Sequence, residues 1–231
     1  MDPDTAIGGD HARFPSTQVS LLEAAASGMA NEALDRVIAL YWKPVYRFVR
    51  YKFRQDNEDA KDLTQSFFTS ALERDFLARF DPAKGPFRGY VRMAVERFAA
   101  SRYEEAGRQK RGGDCEHEPL EETAAAGESP EELFEREWRR QLFSLALDDL
   151  RAYCNAGGHA LRLAVFESYD LADGERPTYR DLAEQHGIPE TSVTNHIAWA
   201  RRMLRGFVAE RLRGATSGAR EFHEEMRRLW S

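Results

Sequence analysis

Thr178-Tyr179-Arg180-Asp181-Leu182-Ala183-Glu184-Gln185-His186-Gly187-Ile188-Pro189-Glu190-Thr191-Ser192-Val193-Thr194-Asn195-His196-Ile197 is the stretch on which the fold turns. Thr178 followed three residues later by Asp181 reads as a capping box opening a short helix, with Leu182 and Ala183 on its inner face. Gly187 fits the left-handed position that ends such a helix. Pro189 suits the first turn of the next one. Val193, Ile197, Ala200 and Leu204 then recur at helical spacing. Short helix, tight turn at Gly187-Ile188 and longer helix together make the spacing of a helix-turn-helix unit.

The same periodicity runs outward in both directions. Upstream, Ser129-Pro130-Glu131-Glu132 is a second capping box with Pro at the first helical position. It opens a helix expected over about 131–153, faced by Leu133, Phe134, Trp138, Leu142, Leu145 and Leu150. Asn155-Ala156-Gly157-Gly158 stops it, and a further helix is expected near 159–169. In the first half, Leu34, Val37, Tyr41, Val45 and Phe48 form one helical stripe, in which Pro44 predicts a local kink. Asp56 to Asp59 caps a second helix, with Ala60, Leu63, Phe67, Ala71 and Leu72 facing inward. The turn-rich Asp81-Pro82-Ala83-Lys84-Gly85-Pro86 precedes a third helix, which carries Phe87, Tyr90, Val91, Val95 and Phe98 and ends near Gly107. Phe222, Met226, Leu229 and Trp230 predict a short amphipathic helix at the end. Leu21, Leu22, Ala25 and Met29 predict another near the start. No β-branched alternating run occurs. The expected fold is all-α: two small helical domains, 31–111 and 130–213, joined by a flexible acidic linker at 112–129 and flanked by extensions 1–30 and 214–231.

Charge divides the chain in the same places. The 231 residues carry a net charge of −6, which argues against free binding to nucleic acid as a whole. Residues 41–111 nevertheless hold sixteen Lys/Arg against ten Asp/Glu, whereas 112–137 hold ten acids and one Arg. Such a run of like charge reads as a solvated tether. No apolar run approaches the ~18 residues of a membrane span, so no membrane insertion is expected. The acidic start lacks a signal-peptide pattern. Cys115 and Cys154 make no disulfide framework. A soluble, cytoplasmic protein is the expectation.

Two groups of residues point to chemistry. In the helix-turn-helix unit, the early side chains of the second helix are the ones placed to enter a major groove. Ser192, Thr194, Asn195, His196 and Trp199 stand there, of which Ser, Thr and Asn reach base edges or phosphates. Arg201, Arg202 and Arg205 lie further along and suit the phosphate backbone, and Arg180 is a further candidate contact. In the first half, aromatic residues interleave with Lys84, Arg88, Arg92 and Arg97, a combination suited to unstacked single strands. Phe98 and one of Phe87 or Tyr90 are expected in the core. Cys115-Glu116-His117 lacks a second ligand pair, so neither metal nor cofactor is expected. With no phosphate loop or nucleophile elbow, neither is catalysis.

In this order, a basic three-helix unit, an acidic tether and a helix-turn-helix unit resemble a bacterial sigma factor of the extracytoplasmic-function type, in the sigma-70 family. Asp59-Ala60-Lys61-Asp62-Leu63-Thr64-Gln65-Ser66-Phe67-Phe68 resembles the helix that docks on the β′ coiled coil of core RNA polymerase. The resemblance thus implies polymerase contacts at Asp59, Asp62, Leu63, Gln65 and Phe68, with the β subunit as a further partner. Phe87-Arg88-Gly89-Tyr90-Val91 resembles the start of the helix that melts the minus-ten element, which implies promoter DNA at Lys84, Phe87, Arg88, Tyr90, Arg92 and Arg97. Gln109-Lys110-Arg111-Gly112-Gly113 resembles that helix's exit. Tyr179-Arg180-Asp181-Leu182-Ala183 through Val193 and Ala200-Arg201 resembles the unit that reads the minus-thirty-five element. The resemblance covers roughly 31–112 and 131–213. It implies that the tether threads the polymerase's basic RNA path and that a flipped base is trapped at the 81–90 loop.

Departures from the pattern carry their own expectations. Lys61 and Ser66 stand where the docking helix commonly has acids, which weakens charge complementarity. Some relatives lacking these acids are activated by phosphorylation of a threonine in this helix. Thr64, or less readily Thr69, is therefore a candidate phosphosite for a Ser/Thr protein kinase; an anti-sigma factor is the other candidate regulator. The tail at 214–231 either packs on its own domain or covers a binding surface. Two other classes stand beside the sigma factor: a stand-alone helix-turn-helix regulator of duplex operators, and a helical adaptor for a protein partner.

Overall fold

The computed structural model describes residues 30–73, 76–109, 127–216 and 218–230. Among these residues every regular element is helical, apart from turns, and no strand occurs. Helix α1 spans Ala30–Lys52, α2 Asn57–Glu73, α3 Phe87–Gln109, α4 Pro130–Gly157, α5 Ala160–Asp170, α6 Tyr179–His186, α7 Glu190–Arg213 and α8 Ala219–Trp230. A 3-10 turn, Pro82–Lys84, precedes α3. No helix among the described residues is long and apolar enough to cross a membrane.

The element ends follow the capping chemistry read from the sequence. Ser129 accepts the Glu132 N–H while the Glu132 carboxylate accepts the Ser129 N–H, so both halves of the capping box are made. The helix it opens runs four residues past its expected end, through the first of the paired glycines. Gly158, at φ 70°, supplies the left-handed cap. Helix α1 continues through the buried Pro44, which has no N–H to give the Leu40 carbonyl. The leading helix expected around Leu21–Met29 and the acidic tether with Cys115 and His117 lie outside the described residues.

The two halves share a core. Helix α4 lies along α1 over the most extensive helix–helix interface among the described residues. Phe134 stacks on Tyr41 at 6.4 Å and meets Phe48 edge-on at 5.7 Å, and all three rings are buried. Such aromatic pairs add ~0.5–1.5 kcal/mol beyond the area they bury. One hydrophobic cluster thus runs from Leu34 and Val45 through Phe134, Trp138 and Leu142 to Phe207 and Leu212. The units on either side of residue 129 are therefore packed together, where their sequences suggested separate domains. The stripe on α4 gave the apolar face but not its partner, because periodicity fixes which side is buried and not against what. A smaller second core belongs to the helix-turn-helix unit alone: Val165, Leu182, Ala183, Val193 and Ile197.

Charge reinforces the packing of α1 and α3 on α4. Lys52 Nζ lies 2.8 Å from Glu96 and 3.5 Å from Glu131, and Arg92 lies 3.0 Å from Glu131. Glu131 belongs to the first turn of α4, where acids also complement the helix dipole.

Candidate nucleic-acid interface

The chain between α2 and α3 builds a broad groove. Asp81 caps the 3-10 turn by accepting the Ala83 N–H at 3.0 Å, and Gly85 leaves the turn at φ 127°, a left-handed conformation that disfavours side chains. Tyr90 Oη donates to the Phe76 carbonyl at 2.9 Å, tying α3 to the loop. The resulting cavity, about 1380 Å³, is walled by Asp62, Gln65 and Thr69 of α2 and by Tyr90, Met93 and Arg97 of α3. Phe67, Phe76, Phe80 and Phe98 form its base, while Arg79, Lys84 and Arg102 stand at its edges. Phe76 and Phe80 hold Tyr90 between them at 4.8 and 5.4 Å. Burial raises the Tyr90 phenol's pKa, against the lowering pull of Arg79 and Arg97, so it stays a neutral donor.

The six residues expected to meet melted DNA divide between this groove and the interior. Lys84, Tyr90 and Arg97 line the groove. Lys84 is exposed, with a 3.4 Å contact to Asp81, and Arg97 is exposed near Tyr90, whose phenol it acts on electrostatically. Phe87 is completely buried against Tyr41, Phe76 and Phe80, so its ring is core and cannot stack on a base here. Arg88 points the other way, stacking on Trp138 at 4.6 Å and pairing with Glu135 at 2.9 Å and Glu225 at 2.6 Å. Arg92 is spent on Glu131 and Glu96. The alternation of aromatic and basic residues along α3 reflects two faces: Tyr90 and Arg97 on the groove, Arg88 and Arg92 on α4. Arg79 and Phe76 were missed because they precede the helix and carry no periodic signal.

On α2, Asp59, Asp62 and Gln65 are exposed at three-residue spacing, a stripe that starts outside the groove at Asp59 and reaches its rim at Asp62 and Gln65. Leu63 is half-buried. Phe68 is buried, its ring stacked on Trp42 at 5.7 Å, and so contributes to the core rather than to an outer face. Thr64 is also fully buried, and its hydroxyl donates back to the Ala60 carbonyl at 2.7 Å. No kinase reaches a side chain so placed without opening the helix packing. Thr69 is exposed at the groove wall.

The helix-turn-helix unit takes the expected form. Thr178 and Asp181 make both halves of the capping box, and Gly187 adopts φ 65° at the turn. Pro189 is the N-cap of α7 rather than its first helical residue. Thr194, Asn195 and Arg202 are exposed on one face of α7, together with Thr191 and Ala198, which the sequence reading left out. Ser192 and His196 are half-buried beside that face. Burial lowers the His196 pKa, with Arg162 and His186 adding to the effect, so the ring is neutral at pH 7. Arg180 is exposed and pairs with Glu184 at 3.0 Å.

Two expected contacts are diverted. Trp199 turns inward against His159 at 5.0 Å, with Arg162 over its ring at 4.9 Å. Arg201 makes a bidentate pair with Asp170 at 2.6 and 2.8 Å, a geometry that locks α7 onto the end of α5.

No protein-family model, curated protein or solved structure matches the chain.

Proposed function

We propose that this chain is an alternative sigma factor of the extracytoplasmic-function type: it binds bacterial core RNA polymerase and directs it to a particular set of promoters. The observation that carries the reading is the groove between α2 and α3, which sets the half-buried rings of Tyr90 and Phe98 beside Lys84, Arg97 and Arg102. A single strand needs both: cations to hold its backbone and ring faces or a cavity to receive an unstacked base. A base drawn out of the duplex at the minus-ten element enters this groove and offsets its unstacking cost of a few kcal/mol. Tyr90 and Arg97 are its contacts. The outer face of α7, with Thr194, Asn195 and Arg202, reads the minus-thirty-five element in the major groove. The polymerase performs the chemistry, and this chain does none.

The exposed stripe Asp59, Asp62 and Gln65 supports docking on the basic polymerase coiled coil. Net charge −6 accords with weak binding of the free chain to DNA and with promoter recognition as part of the holoenzyme. A stand-alone operator binder fits less well. The exposed face of α7 offers few cations, and two of the arginines nearby, Arg180 and Arg201, are paired with acids.

The test is association of the purified protein with bacterial core RNA polymerase, measured beside an Asp62→Arg variant. Tight binding that the charge reversal abolishes is expected. Failure of the wild-type protein to bind would remove the sigma-factor reading in favour of duplex DNA binding alone.

A further inference from the structure

Helix α8 closes over the first turn of α3. Its Glu221 carboxylate accepts the Phe87 backbone N–H at 2.8 Å. One turn on, Glu225 accepts from Arg88 Nη1 at 2.6 Å and also pairs with Arg228 at 3.1 Å. A helix N-terminus and an adjacent guanidinium are the two features by which proteins hold phosphate. Here two carboxylates of the chain's own tail occupy both, and Glu135 of α4 shares Arg88 at 2.9 Å.

The same helix reaches into the second half of the molecule. Trp230 meets Phe143 of α4 edge-on at 5.6 Å and lies under Arg205 of α7 at 4.7 Å, and Arg213 stacks on Phe222 at 4.7 Å. Helix α8 therefore engages α3, α4 and α7 together. Glu225 is the one fully buried residue on it, and the rest of its contact is half-exposed. An element held by so few buried apolar groups opens at lower cost than the core.

If the chain acts as proposed above, on which this inference rests, its two halves must part along the α1–α4 core, and α8, which bridges them, must release first. Promoter elements centred about 25 base pairs apart lie ~85 Å apart at ~3.4 Å per pair. A packed chain of this length has a radius of gyration of ~17 Å, so its two DNA-facing surfaces cannot reach both elements while α1 and α4 stay together. We propose that α8 is an internal latch. Its Glu221 and Glu225 take the place of backbone phosphates at the start of α3, and its Trp230 end clamps the second half, holding the free protein closed. With bases in the groove at Tyr90 and Arg97, a flanking backbone phosphate crosses the start of α3 and competes with the latch for the Phe87 N–H and for Arg88 on the adjoining face, so binding the strand releases the tail.

The test is binding of a fluorescein-labelled single strand of ~20 mixed nucleotides in about 0.1 M salt, by anisotropy, using the full chain and its association with core polymerase. Glu221→Gln/Glu225→Gln is expected to bind about fivefold more tightly than wild type, with a salt slope steeper by ~0.7, the contribution of one more phosphate contact. Adding Arg88→Ala should erase the gain. Trp230→Ala, which loosens the far end of α8 and leaves the ionic cluster intact, should shift affinity in the same direction and decides the matter if the double variant misfolds by circular dichroism. Equal strand binding by wild type and these variants, with polymerase association intact, overturns the latch alone. Absence of both polymerase association and strand binding in every protein overturns the functional reading and the latch with it.

Discussion

Thr64 shows how a single side chain can be right in type and wrong in place. A hydroxyl in a helix short of acids invites a phosphate, yet this hydroxyl is sealed beneath α2 and satisfied by the Ala60 carbonyl. Introducing charge there desolvates it without a partner, and the several kcal/mol involved exceed any gain in complementarity. Thr64→Glu is expected to lower the melting temperature sharply and to leave polymerase affinity no better than wild type, whereas Thr64→Val should fold normally. Calorimetry beside a polymerase-binding assay checks both. Arg88 teaches the same lesson from the other side. Its sequence neighbours advertise a DNA contact, but the partners that neutralise it, Glu135 and Glu225, lie 47 and 137 residues away. No local pattern contains them. Burial raises the Glu135 pKa despite the lowering pull of Arg88, which marks the cluster as crowded with acid.

Elements bounded by their own side chains were the most legible part of the chain. Capping boxes at Ser129 and Thr178 and the glycine at 187 fix helix ends through bonds spanning three or four residues, so the string of residues contains the whole interaction. Helix α6 therefore depends on pH in a defined sense. Hydrogen bonds from Thr178 hold the Asp181 carboxyl below its ordinary value of 3.8, with the nearby Arg180 adding a smaller pull. A depressed carboxylate stabilises the element fully above that ordinary value and loses its effect as pH falls toward the native value. Amide exchange in α6 should accelerate below about pH 4 relative to α7, and Thr178→Ala should remove that difference. Where an element's two faces meet different partners, as in α3, the motif was a poorer guide than the periodicity. Periodicity put Phe87 on the apolar stripe, while the resemblance set Phe87 and Arg88 on one DNA-facing surface, although consecutive helical residues point about 100° apart.

For the whole molecule, the helical class followed from pattern alone and the joining of the halves did not. Phe134 and Trp138 announce burial, but only three-dimensional packing reveals that α1 receives them. The consequence is cooperative stability. Phe134→Ala leaves a cavity between α1 and α4 and should cost ~3–5 kcal/mol. Because the ring serves both halves, thermal unfolding is expected to remain a single transition in the wild type and to split in the variant, as read by calorimetry. Two transitions in the wild type would show that the shared core does not couple them.

Trp138 lies at this junction, 2% exposed and capped by the Arg88 guanidinium. Its indole thus carries a built-in optical label for the contact between the halves. While they stay closed, its emission belongs to a dry, cation-covered ring. Once Arg88 withdraws and α4 parts from α1, water reaches the ring and its fluorescence shifts to the red, a colour change that times each opening once Trp42, Trp199 and Trp230 are replaced by phenylalanine.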